Sequence, residues 1–68
     1  MTKKKAIEAL ADGHAVRHNL FVGREYIRKS SRIGWLEDED GFTFSEADFW
    51  AHRMGEVWQE GWFIVKTK

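Results

Sequence analysis

A chain without a single Cys can use neither a disulfide nor a thiolate zinc site to hold itself together. This one must rely on packing. It carries four Trp, five Phe and one Tyr in 68 residues, and each large ring can bury roughly 150–250 Å². A domain of this size hides only about 60% of its unfolded surface, so some rings are expected outside the core or in a contact between subunits. A homo-oligomer is the expected state. The length allows one domain, residues 1–68, with no room to enclose a large cofactor, and no cofactor is expected.

Eleven Lys and Arg balance eleven Asp and Glu, and the isoelectric point is near 6.8, which argues against a strongly basic nucleic-acid binder and against an acidic DNA mimic. No apolar run approaches the ~20 residues of a membrane span, and the N-terminal lysines are not followed by a signal-peptide core. The chain reads as soluble and cytoplasmic, with no membrane partner.

Local patterns predict an α+β fold. Thr2 can cap a helix from Lys3 to about Asp12, with Ala6, Ile7, Leu10 and Ala11 as its apolar stripe, Lys3, Lys4 and Lys5 in solvent and Gly13 as the stop. After Gly13 the period becomes two. His14 to Val22 and Glu25 to Lys29 read as two strands, Ser30-Ser31 as a turn and Arg32 to Leu36 as a third strand. Asp40-Gly41 closes a tight hairpin turn after the acidic run 37–40, and Phe42 to Phe44 returns along it. Ser45, with Asp48 three residues later, opens a short helix to about Arg53 that Gly55 stops. Val57 to Val65 reads as a strand, interrupted or bulged at Gly61. The expected result is a small antiparallel sheet of four or five strands with an N-terminal helix and a second short helix.

Little in these residues resembles a reaction centre. His14 and His18 would suit a metal on a helix, but on an extended segment they stand roughly 13 Å apart. No metal site is expected, even with His52 or a carboxylate considered as a third ligand. No carboxylate pair has the apolar setting that raises a pKa, and no nucleophile elbow or phosphate-binding glycine loop is present. The expectation is a protein that is not an enzyme.

Charge is distributed unevenly. Residues 1–36 hold eight Lys or Arg against three Asp or Glu, and residues 37–68 hold three against eight, so the halves carry +5 and −5. Such polarity can be cancelled by strand pairing, can join subunits head to tail, or can present a basic face to phosphate. Arg17, Arg24, Arg28, Lys29 and Arg32 lie among Phe21, Tyr26 and Trp35, an arrangement that suits stacking and phosphate contact as well as a half-buried strand. For a nucleotide, Arg17 and Arg28 are the candidates for phosphate, because guanidinium groups match its oxygens bidentately, and Tyr26 or Trp35 for the base. Trp58 and Trp62, four apart, would share one side of a strand with Trp50 over them. For a protein partner, exposed Trp58, Trp62 or Phe63 and the charged loop at Asp38 and Asp40 are the candidates.

The order of segments is also familiar. A-I-E-A-L-A-D-G (Ala6 to Gly13), V-R-H (Val16 to His18), Y-I (Tyr26, Ile27), an acidic turn, S-E-A-D-F-W-A (Ser45 to Ala51) and G-W-F-I-V (Gly61 to Val65) together resemble a family of small phage-encoded domains. Its members include Thoeris anti-defence proteins, which sequester a cyclic ADP-ribose signal between subunits of an oligomer. Relative to that pattern, the aromatic expected after V-R-x is Leu20 or Phe21, the acidic pair before the last Trp is Glu60-Gly61, and residues 52–60 are an insertion. The resemblance implies a phage-type accessory protein that antagonises a host defence without catalysis, by binding a nucleotide signal or, as anti-CRISPR proteins do, by covering a defence protein. The alternative expectation is a nucleic-acid-binding module using the basic N-terminal half, and a third is a structural role in a virion or regulatory complex.

Overall fold

A computed structural model describes residues 1–66. It contains an N-terminal helix, five antiparallel strands and a second short helix, which makes the fold α+β. Helix α1 spans Lys3–Ala11. Its first turn is capped by Thr2, whose Oγ1 accepts the Lys5 N–H at 3.1 Å. Its last turn closes with Gly13 N–H to Leu10 O and His14 N–H to Ala9 O, a paired arrangement that needs the left-handed φ of +92° at Gly13. The buried face is Ala6, Ala9 and Leu10, whereas Ile7 and Ala11 lie outside it, so the apolar stripe expected through Ile7 and Ala11 is displaced to one side. Two alanines on the contact line let the helix approach the sheet closely. Lys3 is also not free in solvent: its Nζ donates to Arg53 O at 3.1 Å and sits 5.4 Å from the Trp50 ring centroid.

The strands are β1 (Ala15–His18), β2 (Ile27–Lys29), β3 (Trp35–Asp38), β4 (Thr43–Ser45) and β5 (Trp62–Val65), in the spatial order β4-β3-β2-β1-β5. Helix α2 is Glu46–Ala51, and a single 3₁₀ turn occupies Glu56–Trp58. Several boundaries differ from the sequence expectation. Strand β1 stops at His18 because Phe21 N–H turns back to His18 O, leaving Leu20 to Val22 in a loop. Strand β3 starts at Trp35 instead of Arg32, since Trp35 N–H bonds to Arg32 O and closes a turn there. Glu37 and Asp38 are therefore strand residues, and the Asp38 carboxylate closes the next turn by accepting the Asp40 and Phe42 amides at 2.9 and 3.0 Å. That turn delays β4 to Thr43.

Ser45 caps α2 as its spacing predicts, accepting the Asp48 N–H at 3.2 Å. The helix ends two residues before Arg53, where His52 folds its ring onto Asp48 O at 2.8 Å. Gly55 does not stop it but begins the 3₁₀ turn. Trp58 and Trp62 consequently do not share a strand. Trp58 belongs to the turn and Trp62 to β5, with the Trp62 indole N–H donating to Trp58 O at 2.6 Å and Trp50 lying 5.2 Å from the Trp62 ring centroid.

Both helices cover the same face of the sheet, where Leu10, Val16, Ile27, Leu36 and Trp62 are the largest fully buried side chains. One polar residue is buried with them. His18 is 3% exposed, and its Nδ1 accepts the Leu20 N–H at 3.0 Å while Nε2 lies 2.9 Å from Val57 O and 2.6 Å from Glu60 O. Two carbonyls at one nitrogen and an amide donor at the other define the neutral ring with its proton on Nε2. Trp58 and Trp62 flank it at 4.5 and 4.9 Å between centroids.

Gly61 completes this contact. A Cβ there would lie 2.9 Å from His18 Nε2, on a backbone with φ +94°. Gly61→Ala is expected to lower stability by about 1–3 kcal/mol, read as a lower midpoint in urea unfolding followed by Trp fluorescence. Gly55→Ala, at an ordinary φ with open space around it, is expected to change stability by less than about 0.5 kcal/mol.

Candidate functional site

Because α1 and α2 both pack on one side, the other side of the sheet has no covering layer among the described residues. Strand alternation decides what it displays. Ile27 points into the core, so Arg28 points outward, in register with Glu37 and then Thr43. Val16 faces the core opposite Ile27, so Arg17 faces outward between Phe63 on β5 and Tyr26, the residue preceding β2. Trp35, opposite Ser45, is on the same side. The four residues selected as ligand contacts from sequence, Arg17, Tyr26, Arg28 and Trp35, thus share one open face.

Their guanidinium groups are not idle. Arg28 Nε is 2.8 Å from Glu37 Oε1 in a cross-strand pair. Arg17 donates from Nη1 to Gly23 O at 2.7 Å and from Nη2 to Phe21 O at 3.1 Å, and its charge lies 5.7 Å from the Phe63 ring centroid. It anchors the β1–β2 loop to the edge of the face, bringing exposed Leu20 and Val22 to that end of the sheet. Arg32 lies 4.6 Å from the Trp35 ring centroid. On the helix side, Lys29 pairs with Glu46 at 2.7 Å. Opposite charges from the two halves of the chain therefore meet within the monomer. What the face offers is aromatic and aliphatic surface set between paired charges.

The residues selected for a protein partner are scattered. Trp62 is 1% exposed and belongs to the core, so it presents no anchor to a partner. Trp58 is half-buried between His18 and Arg53. Asp38 holds the β3–β4 turn, and Asp40 is exposed at its tip. Phe63, at 43% exposure, is the bulky ring that β5 turns outward. Hydropathy could not rank it below Trp62, since both are large apolar residues of one short strand.

A concavity lies on the helix-bearing side, about 360 Å³ in volume, between α2 and the strands. Sequence reasoning did not single it out. Its lining includes Arg53, whose guanidinium lies 3.9 Å from the Phe49 ring centroid and 5.0 Å from that of Trp58, with Nη1 donating to Phe49 O at 3.2 Å. Burial pulls the Arg53 pKa below its ordinary value, an effect that the charge of Glu25 opposes. The only advance signal was an Arg four residues after a Phe on a helical segment.

The imidazoles do not converge: His18 is engaged by backbone groups, while His14 is exposed before β1. Among the described residues, no three His, Cys, Asp or Glu side chains are grouped to hold a metal ion, and no helix is long and apolar enough to cross a membrane. No family model, curated protein or solved structure matches the chain.

The two arginines of the face differ in what they support. Arg17→Ala is expected to cost about 1–2 kcal/mol and to speed amide exchange at Val22 and Gly23, because two carbonyls lose a charged donor. Arg28→Ala removes an exposed pair and is expected to cost less than about 1 kcal/mol in the same unfolding assay.

Proposed function

We propose that this protein is a phage-type anti-defence protein that acts without catalysis in the cytoplasm of an infected cell, by binding and blocking a component of a host immune system. The binding surface in this reading is the uncovered sheet face. One observation carries it: Arg17, Tyr26, Arg28 and Trp35, drawn from three separate stretches of sequence, fall on one rigid side of the sheet beside exposed Phe63. Aromatic and Arg side chains held by backbone pairing lose little freedom on docking, and they are the residue types that dominate binding energy. The anti-defence part of the reading rests on the resemblance of the segments to phage-encoded domains, and the docking part on the geometry.

A protein target suits this face better than a small signal molecule does. Ligand sites for small molecules are concave, whereas within one chain this face is an open sheet surface on which the Arg17 and Arg28 guanidinium groups already have acceptors. A cyclic nucleotide would need a second wall, as a homo-oligomer could provide. Nucleic-acid binding has less support, since Arg17, Arg28 and Lys29 are all locally engaged and cannot release counterions without giving up those partners.

The test is to express the protein in cells carrying individual defence systems, CRISPR complexes and cyclic-nucleotide systems among them, and to measure phage plaquing. Restored plaquing under at least one system is expected, with Trp35→Ala and Arg28→Glu lowering it by at least about tenfold while unfolding midpoints stay within a few degrees. Rescue that survives both substitutions would remove the sheet face from the reading, and no rescue under any system would remove the anti-defence role. Trp fluorescence titrated with cyclic nucleotides should stay flat if the target is a protein.

A further inference from the structure

The groove on the helix-bearing side has a physical origin in the length of α2. Six residues rise only about 9 Å, so the helix stops short and leaves a groove between itself and the strands. Half-buried Phe44, over the buried Ile27 and Phe49, forms the apolar floor of that gap, and Glu25, Asp38 and Asp48 bring three carboxylates to its lining. None of the three forms a salt bridge among the described residues, in contrast with Glu8, Glu37 and Glu46. Arg53 offsets one of those charges, and its own guanidinium is already engaged with Phe49 O and the Phe49 ring. Asp38 uses Oδ1 to close its turn, and Asp48 is exposed.

We infer that this groove is a docking site for an arginine side chain presented by a protein partner. The charge complementarity selects a cation, because two carboxylates remain uncompensated around an apolar floor. The floor selects arginine over lysine: guanidinium is planar, weakly hydrated and stacks on aromatic faces, as Arg53 does 3.9 Å from the Phe49 ring centroid, and half-buried Phe44 is the ring left for a partner. Phe44, 5.6 Å from Phe49 between centroids, extends the aromatic surface along the floor. The volume, about 360 Å³, is near the lower end for ligand sites and matches one long side chain with its flanking backbone. The groove opens on the opposite side of the sheet from Arg17, Tyr26, Arg28 and Trp35, so it is a second surface, and its occupancy can be measured independently of the face proposed for blocking.

The experiment uses the full chain labelled with ¹⁵N and three probes: the peptide acetyl-Ala-Leu-Arg-Leu-Ala-amide, the same peptide with citrulline in place of Arg, and acetyl-arginine amide. The Arg peptide should shift the amides of Asp38, Phe44, Asp48 and Phe49 saturably, with a dissociation constant in the millimolar range or tighter, and the neutral citrulline peptide should bind at least about fivefold more weakly. Asp38→Asn with Asp48→Asn should weaken the Arg peptide by a similar factor, since Asn keeps the Oδ1 acceptor of the turn while removing the charge. The unfolding midpoint of the double variant verifies that it remains folded. If it does not fold, the salt dependence of the unmodified chain takes its place, with binding expected to weaken as ionic strength rises. Shifts confined to the opposite sheet face, equal binding of Arg and citrulline peptides, or the absence of saturable shifts would overturn the assignment. Tighter binding of acetyl-arginine amide than of the peptide would overturn the protein source.

Discussion

The buried imidazole of His18 is the contact on which the arrangement of the chain depends. It lies at the end of β1, between β2 and the edge strand β5, and binds three backbone groups: the nearby Leu20 amide and the Val57 and Glu60 carbonyls, about forty residues away in sequence. A neutral histidine is one of the few side chains able to donate and accept within an apolar setting, and a buried polar group left without partners would be costly. By satisfying both nitrogens, the ring ties the β1–β2 loop to the segment that leads into β5. Trp58 and Trp62 pack against it, and Gly61 must lack a side chain to pass beside it. Without a cross-link, the early strand β1 and the late segment that leads into β5 are held together by this clasp and by the aromatic cluster around it.

That clasp also helps determine which surface is left open. Once Trp62 is drawn inward beside His18, alternation along β5 turns Phe63 to the other side, opposite Arg17. The core then forms between the helices and one sheet face, and the second face keeps its aromatics and paired charges in water. A functional surface on such a small domain is therefore a consequence of having too few layers: two short helices can cover one side of five strands and no more. The shortness of α2 has a parallel consequence on the covered side, where the groove beside Asp38 and Asp48 remains.

The charge asymmetry of the chain has a structural use. Positive residues on β2 meet negative residues on β3 and at the start of α2, as Arg28 with Glu37 and Lys29 with Glu46. These exposed pairs add little to stability individually, but they favour one strand neighbour over others, since like charges directly opposite one another repel. Three of the acidic residues not consumed in this way, Glu25, Asp38 and Asp48, line the groove and give it its polarity.

Features governed by neighbours a few residues apart were legible in the chain. The Thr2 cap, the Gly13 stop, the Ser45–Asp48 cap and the Asp40-Gly41 turn depend on short-range hydrogen bonds and backbone preferences, whereas the common face of Arg17, Tyr26, Arg28 and Trp35 follows from a register that only the paired strands define. The displaced features had another cause. Arg32 to Gly34 form a turn, and Val57 belongs to a 3₁₀ turn in place of a strand, although both segments have strand-like composition; their backbone partners come from elsewhere in the fold. Nothing local separates Trp58, half-buried beside Arg53, from Trp62, at the bottom of the core, or identifies His18 as the histidine that is buried. Depth, the choice of covered face and the groove under α2 arise from contacts between residues far apart in sequence, and those exist only once the strands have been ordered side by side.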